Sequence, residues 1–404
     1  MLSYRKILNL IFLVVSLAFY CQTKMINVKD FGAIPDGKTD NSAAFSKAIK
    51  KALAYNSSEV LIPYGNYLIT EPIRIIYDDK KFSIKGEKNS AGKNPQLKSD
   101  KTMDMIFVSG SLNEVSKGSF TVSNLDILGY NIPYSSKHSF AHKPKWFSGI
   151  NIQNKSFAMI DSVNVSNIYG IGIIVANTKR VDIPVSACFE NVEIKNCRIL
   201  NCWGYNADEY GDGLYISNVQ KASVVNNFIF NNTKETKKLG RCGIVIEYMA
   251  QNVNLQRNTV EGGYDRALHI EASFGGHLIK NNTFNGSDVG VLISESYKNY
   301  SKTKVERNTF SNKNFFQENE KDILFAKHIT SERSFIVINT SNLTEEIEID
   351  SNRFVFHKDR PFSGKGIINS NATSAIYRNN FSSGKKIPFF YNQKYKSSQN
   401  NKAH

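Results

Sequence analysis

Proline and cysteine are scarce in this chain: 404 residues hold nine prolines and five cysteines. Outside the first segment the cysteines are Cys188, Cys197, Cys202 and Cys242, with no Cys-x-x-Cys pair among them. That spacing excludes a dense disulfide scaffold and a zinc ribbon, and leaves buried apolar thiols with at most one bridge as the expectation. Long apolar runs are also missing after Tyr20, so no later segment reads as a membrane span. Acidic side chains are the minority, 36 Asp and Glu against 51 Lys and Arg, for a formal charge of +15. A surface so basic concentrates polyanions, whether nucleic acid, anionic lipid or acidic polysaccharide, and charge alone does not choose among them.

The first segment makes the choice. Arg5 and Lys6 precede the apolar run Ile7–Tyr20, which is too short to cross a bilayer comfortably. Residues 1–23 read as a signal peptide cleaved near Cys21–Thr23. Tyr20 is bulky where a lipoprotein site wants a small residue, so a lipid anchor on Cys21 is the lesser reading. An exported, periplasmic or secreted protein meets glycan rather than nucleic acid. The expected partner is therefore an anionic poly- or oligosaccharide, engaged by a monomer.

The rest of the chain is repetitive. The pattern aliphatic-x-x-Asn-x-apolar occurs around Asn227, Asn258, Asn282, Asn308, Asn352 and Asn379, at spacings of 31, 24, 26, 44 and 27 residues. Degenerate copies lie near Leu125, Val163 and Cys197. A second motif recurs upstream of these, a small residue followed by alternating apolar positions: "GINIQN" from Gly149, "GIIVAN" from Gly172, "GLYISN" from Gly213, "GIVIEY" from Gly243, "ALHIEA" from Ala267 and "GVLISE" from Gly290. Period-two alternation marks strands with one buried face. Leu214/Ile216, Ile244/Ile246, Leu268/Ile270 and Val291/Ile293 are the inward pairs. Short strands at a period of 24–31 residues, bent by Gly and Asn, form a solenoid with one coil per repeat. A stacked Asn tolerates a left-handed turn and can hydrogen-bond its equivalents on neighbouring coils.

The N-terminal stretch differs. A strand over Ile26–Val28 enters a Gly/Pro/Asp turn; Asp40 or Ser42 then caps a helix whose apolar residues are Ala44, Phe45, Ala48, Ile49 and Leu53. "VKDFGAIPDGKTDNSAAFSKAI" followed by "VLIPYGNYLI" resembles the opening of the pectate-lyase-like right-handed parallel β-helix proteins, whose pattern is DFGA–DG–TD–A, a helix, and a strand ending in P-x-G-x-Y. The match is close at Asp30–Asp40 and Pro63–Tyr67. The resemblance implies an all-β right-handed parallel β-helix of about 11 coils with an N-terminal capping helix. One domain would cover 24–384 (cap 24–58, coils 59–384), with a flexible basic tail over 385–404. This fold hosts lyases, hydrolases, epimerases and phage tailspikes, so function must be read from a site.

Aligning the strands gives outward columns. One runs Asn151, Ile174, Tyr215, Val245, His269, Leu292; the next runs Gln153, Ala176, Ser217, Glu247, Glu271, Ser294. Two glutamates thus stack on adjacent coils beside His269, and like charges so placed need compensation. Arg241 and Arg266 lie just upstream and are the expected counter-charges; calcium held by Glu247 and Glu271 is the other possibility. Lys143, Lys145 and Trp146 in one insertion, Trp203 and Tyr205 in another, and Asp212, Tyr248 and Asp265 near the strands are candidate substrate contacts: aromatic faces stack on sugars, and lysine pairs with carboxylate or sulfate.

This constellation suits β-elimination at a uronic acid, which needs a neutralised carboxylate, a base for the C5 proton and an acid for the group leaving C4. Arg241 or Arg266 would neutralise, His269 would be the base and Tyr215 the acid. Loss of a sugar makes a polysaccharide lyase; loss of water from a chain end makes an oligosaccharide dehydratase. The alternatives are a glycoside hydrolase with an Asp/Glu pair and a non-catalytic glycan-binding solenoid. The "NTD", "DD", "GHG" and "RIK" motifs of polygalacturonase-like hydrolases are not found in order.

Overall fold

Two sheets wind through the molecule. The computed structural model describes residues 23–403 except 111–115, 132–146, 180–181, 205–210, 234–239, 288, 314–333, 340–345, 358–364, 370–374, 384–389, 393–397 and 400–401. Eleven parallel strands form one sheet, beginning at Ile73–Ile76 and ending at Phe390–Asn392. The other holds twenty-four strands. In most coils one strand of the eleven-strand sheet is followed by two short strands of the larger one, as in Leu214–Ser217, Ala222–Val225 and Phe228–Phe230. This is the expected right-handed parallel β-helix, with eleven strands marking eleven coils.

The alternating motif explains the register. Leu214 pairs with Ile244, Ile244 with Leu268 and Leu268 with Val291; Ile216, Ile246, Ile270 and Ile293 align in the same way. All eight are buried. Each such side chain contributes about 1.5–3 kcal/mol by leaving water. The small residue that opens each motif has a steric reason. A Cβ on Gly213 or Gly243 would sit 2.6 Å or 2.3 Å from Ile229 or Val260 across the core.

In the turn between the two short strands of successive coils runs a ladder of buried asparagines. From Asn227 through Asn258, Asn282, Asn308 and Asn352 to Asn380, each backbone N–H and each side-chain amide donates to Oδ1 of the next rung at 2.9–3.0 Å. Each amide also donates to a backbone carbonyl of the preceding coil, at 2.8–3.0 Å. Cys197 heads the ladder by donating its N–H to Asn227. The left-handed bend is made by the residue before each rung: Asn226 (φ 60°), Arg257 (53°), Asn281 (56°), Arg307 (55°), Ser351 (54°) and Asn379 (48°). So the two tasks expected of one asparagine are split between neighbours. The last rung is accordingly Asn380, not Asn379. Tyr377 pairs with Ile349 and takes the inward position, which shifts the motif by one residue.

The cap follows the sequence with adjustments. The helix Ser42–Ala52 buries Ala44, Phe45, Ala48, Ile49 and Ala52, with Leu53 half-buried beyond its end. Its N-cap position is Asn41, which makes no side-chain cap bond; instead Asn41 ties the preceding turn through Ile34 N–H at 2.6 Å and Thr39 O at 2.7 Å. Asp40 accepts from the Ser42 N–H at 3.0 Å. Tyr67 is fully buried, donates to Pro63 O at 2.8 Å and meets Phe45 edge-on at 5.6 Å. Gly65 (φ 144°) rests on Pro35, where a Cβ would come within 2.2 Å, so the two halves of the opening motif lock together. The four cysteines are free and buried. The stretch from 385, whose composition suggested a frayed tail, carries short strands at 390–392, 398–399 and 402–403 that continue both sheets in parallel.

Candidate functional site

The polar cluster occupies the outward face of five strands of the eleven-strand sheet: Gly170–Ala176, Leu214–Ser217, Gly240–Glu247, Tyr264–Gly275 and Val289–Ser301. Register places Ile174 beside Tyr215, Tyr215 beside Val245, and Val245 beside His269. Glu247 lies beside Glu271, and Ser294 follows Glu271. Tyr215 and His269 are two coils apart, roughly 9–10 Å along the axis.

The sequence suggested an exposed floor, but this outward face is covered. Tyr215, Glu247, Asp265, Arg266 and His269 are each no more than 7% exposed, and Asp212 is fully buried. Tyr215 belongs to an apolar cluster with Ile171, Ile174, Ala176, Cys242 and Val245. Glu271 is the more open of the two stacked glutamates, its side chain 30% exposed.

Each arginine takes an aspartate as a partner. Arg241 forms a two-point bridge to Asp212, Nε to Oδ1 at 2.9 Å and Nη2 to Oδ2 at 2.6 Å. Asp212 also accepts the Cys242 N–H at 3.1 Å. Burial works against the Arg241 charge, yet Asp212, with help from Cys242 and Glu247, outweighs it and holds the guanidinium pKa well above its usual value. Arg266 Nε stands 3.0 Å from Asp265 Oδ2, close enough to pair but misaligned for a hydrogen bond. Its Nη1 reaches Cys242 Sγ at 4.0 Å.

His269 is the centre of the cluster. Its Nε2 lies 2.7 Å from Ser294 Oγ, and its Nδ1 lies 3.5 Å from Glu271 Oε2 without a hydrogen bond among the described residues. Burial, then the Arg266 and Arg241 charges, pushes its pKa well below the usual histidine value. The ring is neutral at ordinary pH and carries a free lone pair. Ser294 was legible only as a neutral member of its column; its role as the histidine's partner depends on side-chain direction. Beneath the cluster Tyr264 is fully buried, and its hydroxyl has no partner among the described residues. Burial, then Cys202 and Asp212, drives the Tyr264 pKa well above the usual phenol value.

Of the candidate substrate contacts, Trp203 is buried edge-on against Tyr169 at 6.2 Å and presents no open face. Asp212 and Asp265 are committed to the arginines. Tyr248 follows Glu247 with φ 36°, a strained conformation for a bulky residue. Lys143, Lys145, Trp146 and Tyr205 lie outside the described residues. Calcium does not fit what is there. Glu247 and Glu271 supply two carboxylates where the ion wants six to eight oxygens, and no group of three or more potential metal ligands occurs among the described residues.

With this geometry in hand, comparison with known proteins places the chain. Residues 25–292 match the model of the rhamnogalacturonase A/epimerase, pectate lyase-like family, so the chain belongs to that family. The matched span ends at the last coil of the cluster. A polygalacturonase of Arabidopsis thaliana is 25% identical over 287 residues, covering 67% of this chain and 60% of the relative. The chain spans about half to three fifths of the length of the curated relatives it matches. Among solved structures, the A-module of a mannuronan C-5 epimerase of Azotobacter vinelandii superposes with a TM-score of 0.58 at 14% identity, over 94% of this chain and 99% of that one. The tailspike of Escherichia coli bacteriophage HK620 superposes with a TM-score of 0.64 at 13% identity, over 94% and 66%. The architecture is thus the pectate-lyase-like one.

Proposed function

We propose that this protein acts on uronic-acid-containing glycans by removing the C5 proton of a uronate, and that elimination across C4–C5 follows. The observation that carries this reading is His269: a neutral, buried imidazole whose Nδ1 makes no hydrogen bond among the described residues, beside a glutamate and under the charge of two arginines. With Nε2 donating to Ser294, Nδ1 takes the C5 proton, and the Glu271 carboxylate beside it stabilises the imidazolium that forms. Arg266 and Arg241 offset the charge that builds on the uronate carboxylate. The C5–H electron pair becomes the C4=C5 double bond, the C4–O bond breaks, and the departing oxygen takes a proton from an acid, for which Tyr215 and Glu247 are the candidates. The family's epimerase and lyase names support the reading, since both reactions begin at the same proton. Burial of the cluster favours a chain end over the middle of a polymer. The basic-then-apolar run near Ile7–Tyr20 supports a reaction outside the cytoplasm.

One observation favours hydrolysis as a second reading. Four carboxylates, Asp212, Asp265, Glu247 and Glu271, face two guanidiniums, and the stacked glutamates can share a proton as an acid/base pair. The relative named a polygalacturonase points the same way.

A single assay separates the readings. Acidic oligosaccharides are incubated with the protein, and both the ultraviolet absorbance of the unsaturated uronate and new reducing ends are followed. Absorbance with new reducing ends indicates a lyase, and absorbance without them a dehydratase. Reducing ends without absorbance overturn elimination in favour of hydrolysis. His269→Ala with undiminished turnover removes the histidine from the mechanism.

A further inference from the structure

The larger sheet carries a second polar site, far from His269 in the winding of the coil. The corner that most coils turn with one left-handed residue is in one coil a loop, "EKNSAGKNP" from Glu87 to Pro95. This loop is held rigidly. Asn89 Oδ1 accepts the N–H of Ala91 at 3.0 Å and of Lys93 at 2.8 Å, and Gly92 (φ 75°) makes the bend. At its base the Asn94 amide crosses to Asp126 Oδ1 at 2.9 Å, where the Asn164 amide also donates at 2.6 Å. The loop therefore stands beside the next coils and borders an open recess of about 510 Å³.

The walls of this recess are of a specific kind. Tyr64 lines it and is 43% exposed. Lys88 and Lys93 line it from the loop, and neither makes an ion pair among the described residues. Amides from adjacent coils, Asn164 and Asn196 among them, complete it together with Ser162 and the Asp126 carboxylate, which accepts from the Asn94 and Asn164 amides. Aromatic faces stack on the apolar face of a pyranose ring, side-chain amides pair with hydroxyls, and free ammonium groups pair with carboxylates or sulfates. A strip of amides at the strand spacing of the coils suits an extended chain of sugars.

We propose that this recess is a non-catalytic binding site for an acidic oligosaccharide, which retains polymer on the far side of the solenoid from the His269 cluster. The ligand class is read from the recess itself and coincides with the substrate class proposed above; it does not depend on the chemistry at His269.

The test is titration calorimetry with oligogalacturonate, and with a cello-oligosaccharide of equal length as the neutral control. It uses the wild-type chain, Tyr64→Ala, and the pair Lys88→Ala/Lys93→Ala. All three positions are at the surface, and thermal melting checks that each variant folds. Oligogalacturonate should bind the wild type, and each variant should bind at least about tenfold more weakly. Binding should fall with added salt for the wild type and depend less on salt for the lysine pair. Turnover of short substrates should be unchanged in all of them. Oligogalacturonate binding that is absent, or equal in wild type and variants, overturns the proposal, as does equal binding of the neutral control. Activity lost in His269→Ala while the recess variants bind normally overturns this inference and spares the proposed function. Binding lost in the recess variants of a protein with no turnover does the reverse.

Discussion

The asparagine ladder, in the turns between short strands of the larger sheet, and the His269 cluster, on the outward face of the eleven-strand sheet, are both buried polar structures, and they are built on opposite rules. In the ladder every rung repeats, every amide donor is satisfied, and the same bonds recur from Asn227 to Asn380. In the cluster, the stacked Glu247 and Glu271 apart, no coil repeats the next. Asp212, Arg241, Arg266 and His269 are each unique in their column, and His269 Nδ1, Arg266 Nε and the Tyr264 hydroxyl have no aligned hydrogen bond among the described residues. An unsatisfied buried polar group costs about 1–3 kcal/mol. A solenoid that spends stability at one of them and none at the other is marking where ligand chemistry belongs.

The contrast can be broken by substitution, starting where the effect is largest. His269→Ala should lower turnover by about 10²–10⁴-fold, the usual span for a lost acid–base group, while circular dichroism stays that of a β-helix. Equal loss in Asn282→Ala would erase the distinction between the two. Asp212→Asn comes next. It strips the counter-charge from a mostly buried guanidinium and should destabilise by about 3 kcal/mol or more in urea unfolding. Restoration by the further change Arg241→Met would show that the orphaned charge was the cause.

In the ladder, Asn282→Ala orphans the backbone and side-chain donors of Asn258 and should cost about 2–3 kcal/mol without changing turnover per folded molecule. Acid should act through the histidines. His277 is fully buried, its Nδ1 accepts the Val253 N–H at 3.2 Å, and burial pulls its pKa down to about 3. Its folded pKa lies below the unfolded one, near 6.5. Its contribution is therefore complete above pH ~6.5 and is lost on acidification toward pH 3, at about 1.4 kcal/mol per pH unit. His269 adds a loss of the same sign, so His277→Gln should reduce the measured slope without abolishing it. The smallest effect is expected at the end of the ladder. Asn379→Gly, at a left-handed position, should change stability by no more than about 0.5 kcal/mol. Asn380→Ala should cost clearly more; the opposite order would return the last rung to Asn379.

Much of this was legible in the chain because the coil makes sequence spacing into spatial register. The alternation around Leu268 and Ile270 named the buried face, and the same alternation put Glu247 beside Glu271 and His269 two coils from Tyr215. The final asparagine was misread by one residue because Ile376 and Tyr377 are both apolar enough to face inward, and only pairing with Ile349 decides between them. The aspartate partners of the arginines were missed for a related reason. Arg241 and Arg266 extend from the turn into the strand, and their reach back to Asp212 and Asp265 is a matter of side-chain direction that spacing does not encode.

By itself the sequence determined the architecture: period-two strands, a coil-length repeat and a capped N-terminus admit one solenoid, since hydrophobic burial and backbone pairing both depend on patterns that can be counted along the chain. Tertiary structure alone decided which charges meet, that the outward face at His269 is covered rather than open, and that the loop at 87–95 borders a recess. Those outcomes depend on where long side chains point and on segments from different coils closing over one another, and no local period records them.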